Sequence, residues 1–255
     1  MKIAIQGVKG SFHDQAASLI NKTPEILPRT KFKDVFAAVR NGEATHGLVA
    51  IENSLHGSIN EIYRLLDNGD DLWITQTVTL HIKQNLVGYE LVSLENLKTK
   101  NNLVVISHPV ALAQVDGWLT ANLPKAKREE YDDTASAVQA VVAAKDSSLL
   151  AVAGDFASQM YEGTVLEESI QDDPKNYTRF VLFQKGQVVA QNNPTHGSVI
   201  IQTSHEAGSL LNVLSIFNDY NSNLTKLDSH PIPGDDRHYK FYIDYELPLR
   251  HDERL

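Results

Sequence analysis

The chain has 255 residues, 42% of them hydrophobic, which is enough apolar material for one large core or two ordinary ones. Its formal charge of -9 is spread thinly, with no basic block or aromatic-basic stripe to track a phosphate backbone, so nucleic acid is excluded as a partner. There is no cysteine, which rules out disulfides, thiolate nucleophiles and Cys-based zinc or iron-sulfur sites.

The chain opens with MKIAIQ, whose apolar run is far short of a secretory core, and no later segment approaches a membrane span; a cytoplasmic location is expected. The sequons at Asn21, Asn176 and Asn223 are then chance matches. Short β-rich runs next alternate with helical patterns: KIAIQ with HDQAASLI, TKF with DVFAAVRNG, and GLVAIE with SINEIYRLLDNG. This is the signature of β-α-β units, and Ser58 with Glu61 reads as a capping box for the third helix. After a longer β-rich passage, LWITQTVTLHIKQNLVGY, the pattern resumes. NLVVIS is followed by PVALAQVDGWLTAN, REEY by TASAVQAVVAAK, with Thr134 as a candidate N-cap, and LLAVAG by FASQMY. Uninterrupted apolar strands such as GLVAI and LLAVA predict sheets covered on both faces. NYTRFVLF is one more strand, and QKGQVVAQNNPTHG then reads as a linker, with a domain boundary near residues 186–196. Beyond it, SVIIQTS, GSLLNVLSIFNDYN, LTKLDS and KFYIDYE predict strand, amphipathic helix, strand and strand.

In open α/β sheets, ligands sit beyond the carboxyl ends of strands, where helix N-termini present N–H groups. The polar residues fall there: Lys9 and Ser11, then Glu52, Asn53 and Ser54, then Ser107 and His108, then Asp132, Asp133 and Thr134, while Asn176, Thr178 and Arg179 open the NYTRFVLF strand. GVKGS lacks the spacing of a nucleotide phosphate loop, no G-x-S-x-G elbow is present, and the ten histidines show no metal-ligand pairing. A set rich in amides, hydroxyls and one guanidinium, and poor in nucleophiles, suits a small anionic molecule.

The ordered series QGVKGSF, GLVAIENSLHGSINEIYRLL, SHPVALAQ, DDTASAVQAV, LLAVAGDFASQMYE and NYTRFVLF, followed by EAGSLLNVLSIF, closely resembles the prephenate dehydratases over nearly the whole chain. The resemblance implies a two-lobed, periplasmic-binding-protein-like (type II) α/β catalytic region over residues 1–185, followed by an α+β, ferredoxin-like ACT domain over 197–255. Lobe 1 would hold about 1–75 plus 166–185, and lobe 2 about 76–165. The implied reaction converts prephenate to phenylpyruvate by loss of carbon dioxide and the ring hydroxyl, without cofactor or metal; arogenate is the alternative substrate, and a non-catalytic amino-acid sensor the alternative of another class. Thr178, Arg179 and Asn176 take the catalytic positions of the resemblance, with Thr178 assisting the departing hydroxyl. Arg179 would hold a substrate carboxylate, or order the loop through Asp172 or Asp173. Ser11, Asn53, Ser54, Thr134, Gln114, Glu52 and His108 take the substrate-binding positions, Glu52 being as readily a carboxylate that orients an amide.

In ACT domains of this family phenylalanine binds between subunits, here implicating Gly208, Ser209 and Leu210 with Asp228, Ser229 and His230. Two departures stand out. Asp228-Ser229-His230-Pro231 stands where the family has glutamate-serine-arginine-proline, so an imidazole replaces a permanent fork of donors. After KFYIDYE only LPLRHDERL remains, while a second helix and final strand need roughly 15–25 residues, so the domain reads as curtailed. Weak or absent phenylalanine regulation and a homodimer or homotetramer are expected.

Overall fold

The computed structural model describes residues 1–68, 71–186, 194–232, 234–235 and 238–247. The chain forms two compact units, Met1–Gln187 and Val188–Leu255. The first runs β1 (Lys2–Gln6), α1 (Phe12–Ile20), β2 (Glu25–Arg29), α2 (Phe32–Arg40), β3 (His46–Asn53), β4 (Gly57–Ser58), α3 (Asn60–Asp67), β5 (Leu72–His81) and β6 (Asn85–Gly88). It continues with α4 (Leu94–Thr99), β7 (Val104–Ser107), α5 (Pro109–Gln114), α6 (Asp116–Asn122), β8 (Lys127–Glu130), α7 (Thr134–Ala144), β9 (Leu149–Ala153), α8 (Asp155–Met160), β10 (Thr164–Glu167) and β11 (Tyr177–Lys185). The second unit runs β12 (His196–Gln202), α9 (Ser209–Asp219), β13 (Leu224–Pro231) and β14 (Tyr239–Glu246).

Two sheets make the first unit two-lobed. The first has the order β2-β1-β3-β11-β5, with β4 beside β3, and the second has β10-β6-β9-β7-β8. Strand β11 returns from the second lobe and inserts antiparallel between β3 and β5, so the chain crosses between lobes twice. The first sheet is covered on both faces, as its uninterrupted apolar strands require. On one face Ile3, Ile5, Leu48, Ala50, Phe180 and Leu182 pack with Ala16 and Ala17 of α1. On the other, Phe183 stacks on Phe36 of α2 at 4.4 Å. Gly47 lies opposite Phe183 in register, and any Cβ there would collide with its ring. Fully burying such a phenylalanine contributes about 1.5–3 kcal/mol. The second sheet is layered alike. Leu86, Val105, Leu150 and Val152 pack with Leu97 and Leu119 on one face, while Val87, Ile106 and Ala151 pack with Ala135, Val138 and Val141 of α7 on the other.

The alternating pattern is realised, with four local corrections. The strand expected at TKF lies earlier, at Glu25–Arg29, and Phe32 already opens α2. Pro28 obscured it, yet β2 is an edge strand, where a missing N–H is tolerated. Ser58 does not begin a helix; it pairs opposite Glu52 in β4, and Ile59 occupies the N-cap of α3. The N-cap of α7 is Asp133, whose Oδ1 accepts from Ala135 N and Ser136 N, so Thr134 is the first helical residue. Finally, β5 belongs wholly to the first sheet and β10 to the second. The first crossing therefore falls at residues 82–84 rather than near 75, and the second after Glu167, because β5 must flank β11 along its full length.

The second unit is a three-stranded antiparallel sheet of order β12-β14-β13 with α9. Phe217 of α9 packs its ring on Tyr245 at 5.0 Å. Gly208, at φ +90, starts the helix from a left-handed conformation that glycine adopts without strain. Residues 187–193 of the expected linker and the terminal Leu249–Leu255 lie outside the described residues.

Candidate functional site

The register of β11 with β3 decides which side chains meet. Thr178 lies directly opposite Asn53, and Arg179 opposite Glu52. Neighbouring residues on a strand point to opposite faces, so these two pairs are separated by the sheet. On one face Asn53 Nδ2 donates to Thr178 Oγ1 at 2.9 Å and to Asn176 Oδ1 at 2.8 Å. Tyr177 O lies 3.2 Å from the same nitrogen, so its two hydrogens are shared among three acceptors. Asn53 Oδ1 accepts from Leu55 N and His56 N, which shapes the turn after β3. All three side chains are buried, Asn176 completely, and Asn176 Nδ2 has no hydrogen-bond partner in the structure. On the other face Arg179 donates through Nη2 and Nε to Glu52 Oε2 at 2.8 and 3.2 Å.

The expectation for Arg179 is corrected accordingly. Asp172 accepts from Gly117 N and Trp118 N at the start of α6, and Asp173 from Lys175 N, while the guanidinium pairs with Glu52. Glu52 therefore orients a guanidinium, not an amide. Ser54 is also committed: its hydroxyl donates to Lys175 O at 2.7 Å and accepts from Tyr177 N at 2.9 Å, fastening the turn to the start of β11.

Two helix N-termini, one from each lobe, meet each other in this unit. Ser11 caps α1, accepting from Asp14 N, while Asp14 Oδ2 accepts from Gly10 N. Gly10 has φ +86, and a Cβ there would come within 3.0 Å of the Tyr161 ring and 3.5 Å of Ala135 in α7. The loop before α1 thus packs on the start of α7, where Thr134 is buried, and Tyr161 Oη donates to Lys9 O at 2.7 Å. Burial, and then the nearby Asp133 and Asp14, push the Tyr161 hydroxyl above its ordinary pKa, so it stays a donor. Gln114 ends α5 and reaches across to the first lobe, its Nε2 lying 3.3 Å from His56 Nε2. His108 sits at the other end of that helix, about 9 Å away by helical rise, and its Nδ1 accepts from Val110 N. Like those of Ser11, its hydrogen bonds are confined to its own helix start.

Three residues of this region escaped the sequence reading: His56, the buried Gln84, and Gln171, whose Oε1 accepts from Gln84 N. Each lies in a turn or crossing segment without periodicity. Among the described residues no group of His, Asp and Glu is arranged to hold a metal ion, and no helix is long and apolar enough to cross a membrane.

The fold and the paired amide-hydroxyl cluster define a two-lobed α/β protein of the type II binding-protein class, with polar groups gathered between its lobes. The family model for prephenate dehydratase matches residues 3–200, and the chain belongs to that family. It is 32% identical to arogenate dehydratase 5, chloroplastic, of Arabidopsis thaliana, over 98% of this chain and 61% of that protein. It is 30% identical to a bifunctional chorismate mutase/prephenate dehydratase of Enterobacter agglomerans, over 100% of this chain and 65% of that protein. The chain thus spans less than two thirds of the length of these relatives. Among solved structures it is similar to the quorum quenching acylase GqqA, with TM-score 0.83 and 26% identity over 97% of this chain and 88% of that one. It shares its fold with prephenate dehydratase of Arthrobacter aurescens in complex with L-Phe, with TM-score 0.81 and 24% identity over 96% of this chain and 80% of that one.

Proposed function

We propose that the chain is a cytoplasmic prephenate dehydratase. The ring carboxylate of prephenate leaves as carbon dioxide, its bonding electrons enter the ring, and the ring hydroxyl departs with a proton as water, giving phenylpyruvate. The observation that carries this reading is the Asn53 to Thr178 hydrogen bond. Because the amide donates to Oγ1, the hydroxyl proton is left to the departing oxygen. A threonine hydroxyl is a weak acid, so its hydrogen bond strengthens as negative charge develops on the leaving oxygen, and aromatisation supplies the driving force. Asn176, fully buried, accepts from Asn53 Nδ2 through Oδ1 and so helps fix the amide that holds Thr178. Asp133 already takes the first N–H groups of α7, so the hydroxyls of Ser11 and Thr134, at the starts of α1 and α7, are the groups left there for the substrate's carboxylates. Gln114 closes the site from the second lobe. Arg179 and Glu52 neutralise one another and brace β11 against β3. No step calls for a cofactor.

The relative named arogenate dehydratase, similar over nearly the whole chain, favours arogenate as the second reading. The acylase likeness finds less support in the site: a threonine nucleophile needs a base on its proton, and Thr178 Oγ1 receives an amide N–H instead. Assay of purified protein with prephenate and arogenate, following phenylpyruvate and phenylalanine, tests these readings together. Prephenate turnover is expected, and Thr178→Ala should lower kcat by roughly 10²–10⁴. A well-folded wild type inert on both substrates would sink the enzyme reading. An unaltered kcat in the Thr178→Ala protein would sink the role of the hydroxyl.

The second unit, as an ACT-type module over residues 197–255, would carry any phenylalanine response and much of the subunit contact. Among the described residues, strands β12 and β13 each pair only with β14, and such open edges favour association with a second chain. A homodimer or homotetramer is expected by sedimentation; a monomer would refute this.

A further inference from the structure

Hydrogen bonds around the two crossings close into a ring that passes through both lobes. Gln84, in the first crossing and 2% exposed, accepts from Ile170 N through its carbonyl at 2.7 Å, and its own N–H donates to Gln171 Oε1 at 2.9 Å. It is thereby tied to the second crossing by its main chain alone, which leaves its side chain to another purpose. Gln84 Nε2 donates to Gln114 Oε1 at 3.2 Å, and the Gln114 carbonyl accepts from Asp172 N at 2.8 Å. With its oxygen engaged, the Gln114 amide turns its NH₂ toward His56 Nε2, 3.3 Å away. An amide NH₂ only donates, so the His56 Nε2 is the acceptor of this contact. His56 N donates to Asn53 Oδ1 at 3.1 Å, and Asn53 Nδ2 holds Thr178 Oγ1 and Asn176 Oδ1. The Asn176 carbonyl accepts from Ile82 N at 2.8 Å, two residues before Gln84, and the ring is complete.

Two of its members keep buried polar atoms without partners, Gln84 Oε1 and Asn176 Nδ2. Such groups are unfavourable in a merely structural position, where an apolar side chain of the same shape would serve better. We infer that Gln84 and His56 are positioning residues of the site. Through Gln114 they fix the turn at Leu55 and His56, and that turn sets the orientation of the Asn53 amide that holds Thr178. The contact of Gln114 with His56 across the lobes and the alignment of the hydroxyl are then coupled. The activity measured rests on the dehydratase reading; the ring itself does not.

Full-length Gln84→Leu, His56→Phe, His56→Gln and the double variant Gln84→Leu/His56→Phe test this. Loss of a hydrogen bond in the ring is expected to lower kcat for prephenate roughly three- to tenfold, with KM little changed, because alignment and not uniform binding is lost. The double variant should be no worse than the poorer single one, since both break the same ring. His56→Gln, whose amide oxygen still accepts from Gln114, should recover most of kcat. Hydrogen exchange supplies a readout that needs no turnover: the amides of Leu55 and His56, protected by Asn53, should exchange faster in Gln84→Leu. Additive losses, or a lowered melting temperature with kcat and Leu55/His56 exchange unchanged, would overturn the inference. If the wild type turns over neither prephenate nor arogenate, the dehydratase reading fails, and the exchange comparison still decides this one.

Discussion

Asn53 is the residue on which the site turns. Its Nδ2 faces three acceptors, Asn176 Oδ1, Thr178 Oγ1 and Tyr177 O, and its Oδ1 serves two main-chain N–H groups, so the side chain reads as an amide and nothing else. Replacing it by the isosteric aspartate keeps the Oδ1 contacts and sets a carboxylate oxygen against Thr178 Oγ1 and Asn176 Oδ1. Thr178 would then turn its hydrogen to the new carboxylate, withdrawing it from the departing oxygen. Asn53→Asp should therefore lose activity to the same extent as Thr178→Ala, and lose roughly 1–3 kcal/mol of stability for the unpaired Asn176 oxygen. Urea unfolding beside the prephenate assay checks both. Full activity in Asn53→Asp would show that the Thr178 proton is not what matters. This pairing was legible only as a family motif, because Asn53 and Thr178 are 125 residues apart and nothing local in either segment announces the other. The pairing of Arg179 with Glu52, in place of the expected Asp172 or Asp173, was hidden for a related reason. Sequence adjacency to Thr178 suggested a shared purpose, whereas strand alternation places the two side chains on opposite faces.

At the scale of elements, most runs were readable, including the six-residue α8 and the four-residue β8, but a few were missed. The helices over 12–20, 134–144 and 209–219 follow from their apolar spacing, while α4, with six residues, and β10, with four, offered too little pattern to register. The capping box at Ser58 was overridden by pairing with β3, a tertiary contact stronger than a local preference. Helix α1 carries a further consequence. His13 packs its ring edge-on to Phe180 at 5.0 Å, and its Nε2 accepts from Ala50 N in β3. Desolvation lowers its pKa from 6.5 to about 4. The unfolded chain therefore takes up this proton first as the pH falls. The His13 contribution is intact above pH 6.5 and is lost progressively as the pH drops toward 4. Its full extent is on the order of 3 kcal/mol. In His13→Gln, whose amide oxygen can still accept from Ala50, the acid limb of the stability profile should be shallower across this interval. Identical limbs for the two proteins would show that the histidine is already protonated in the fold.

At the scale of the whole molecule, the two units raise the question of whether the second can report phenylalanine to the first. The residues expected to bind it are divided by the sheet. Gly208, Ser209 and Leu210 stand at the start of α9, whose Phe217 packs on Tyr245. Asp228 and His230 lie opposite Tyr242 and Lys240 in register and so share the alternate face of β14, the His230 ring meeting Tyr242 at 5.0 Å. On that face Asp228 Oδ2 is already matched by Lys226 at 3.6 Å and His230 at 3.2 Å. A carboxylate already paired with a lysine and in contact with an imidazole is a poor partner for the ammonium of an amino acid, and an imidazole offers its carboxylate no bidentate fork. Phenylalanine is therefore expected to bind no more tightly than about 1 mM, where the whole binding free energy is only about -4 kcal/mol. Calorimetric titration and prephenate turnover at rising phenylalanine should show neither saturation nor inhibition below that concentration. His230→Arg should strengthen both responses by restoring the fork. Micromolar inhibition of the wild type would mean that a second chain rearranges this face and supplies the missing contacts.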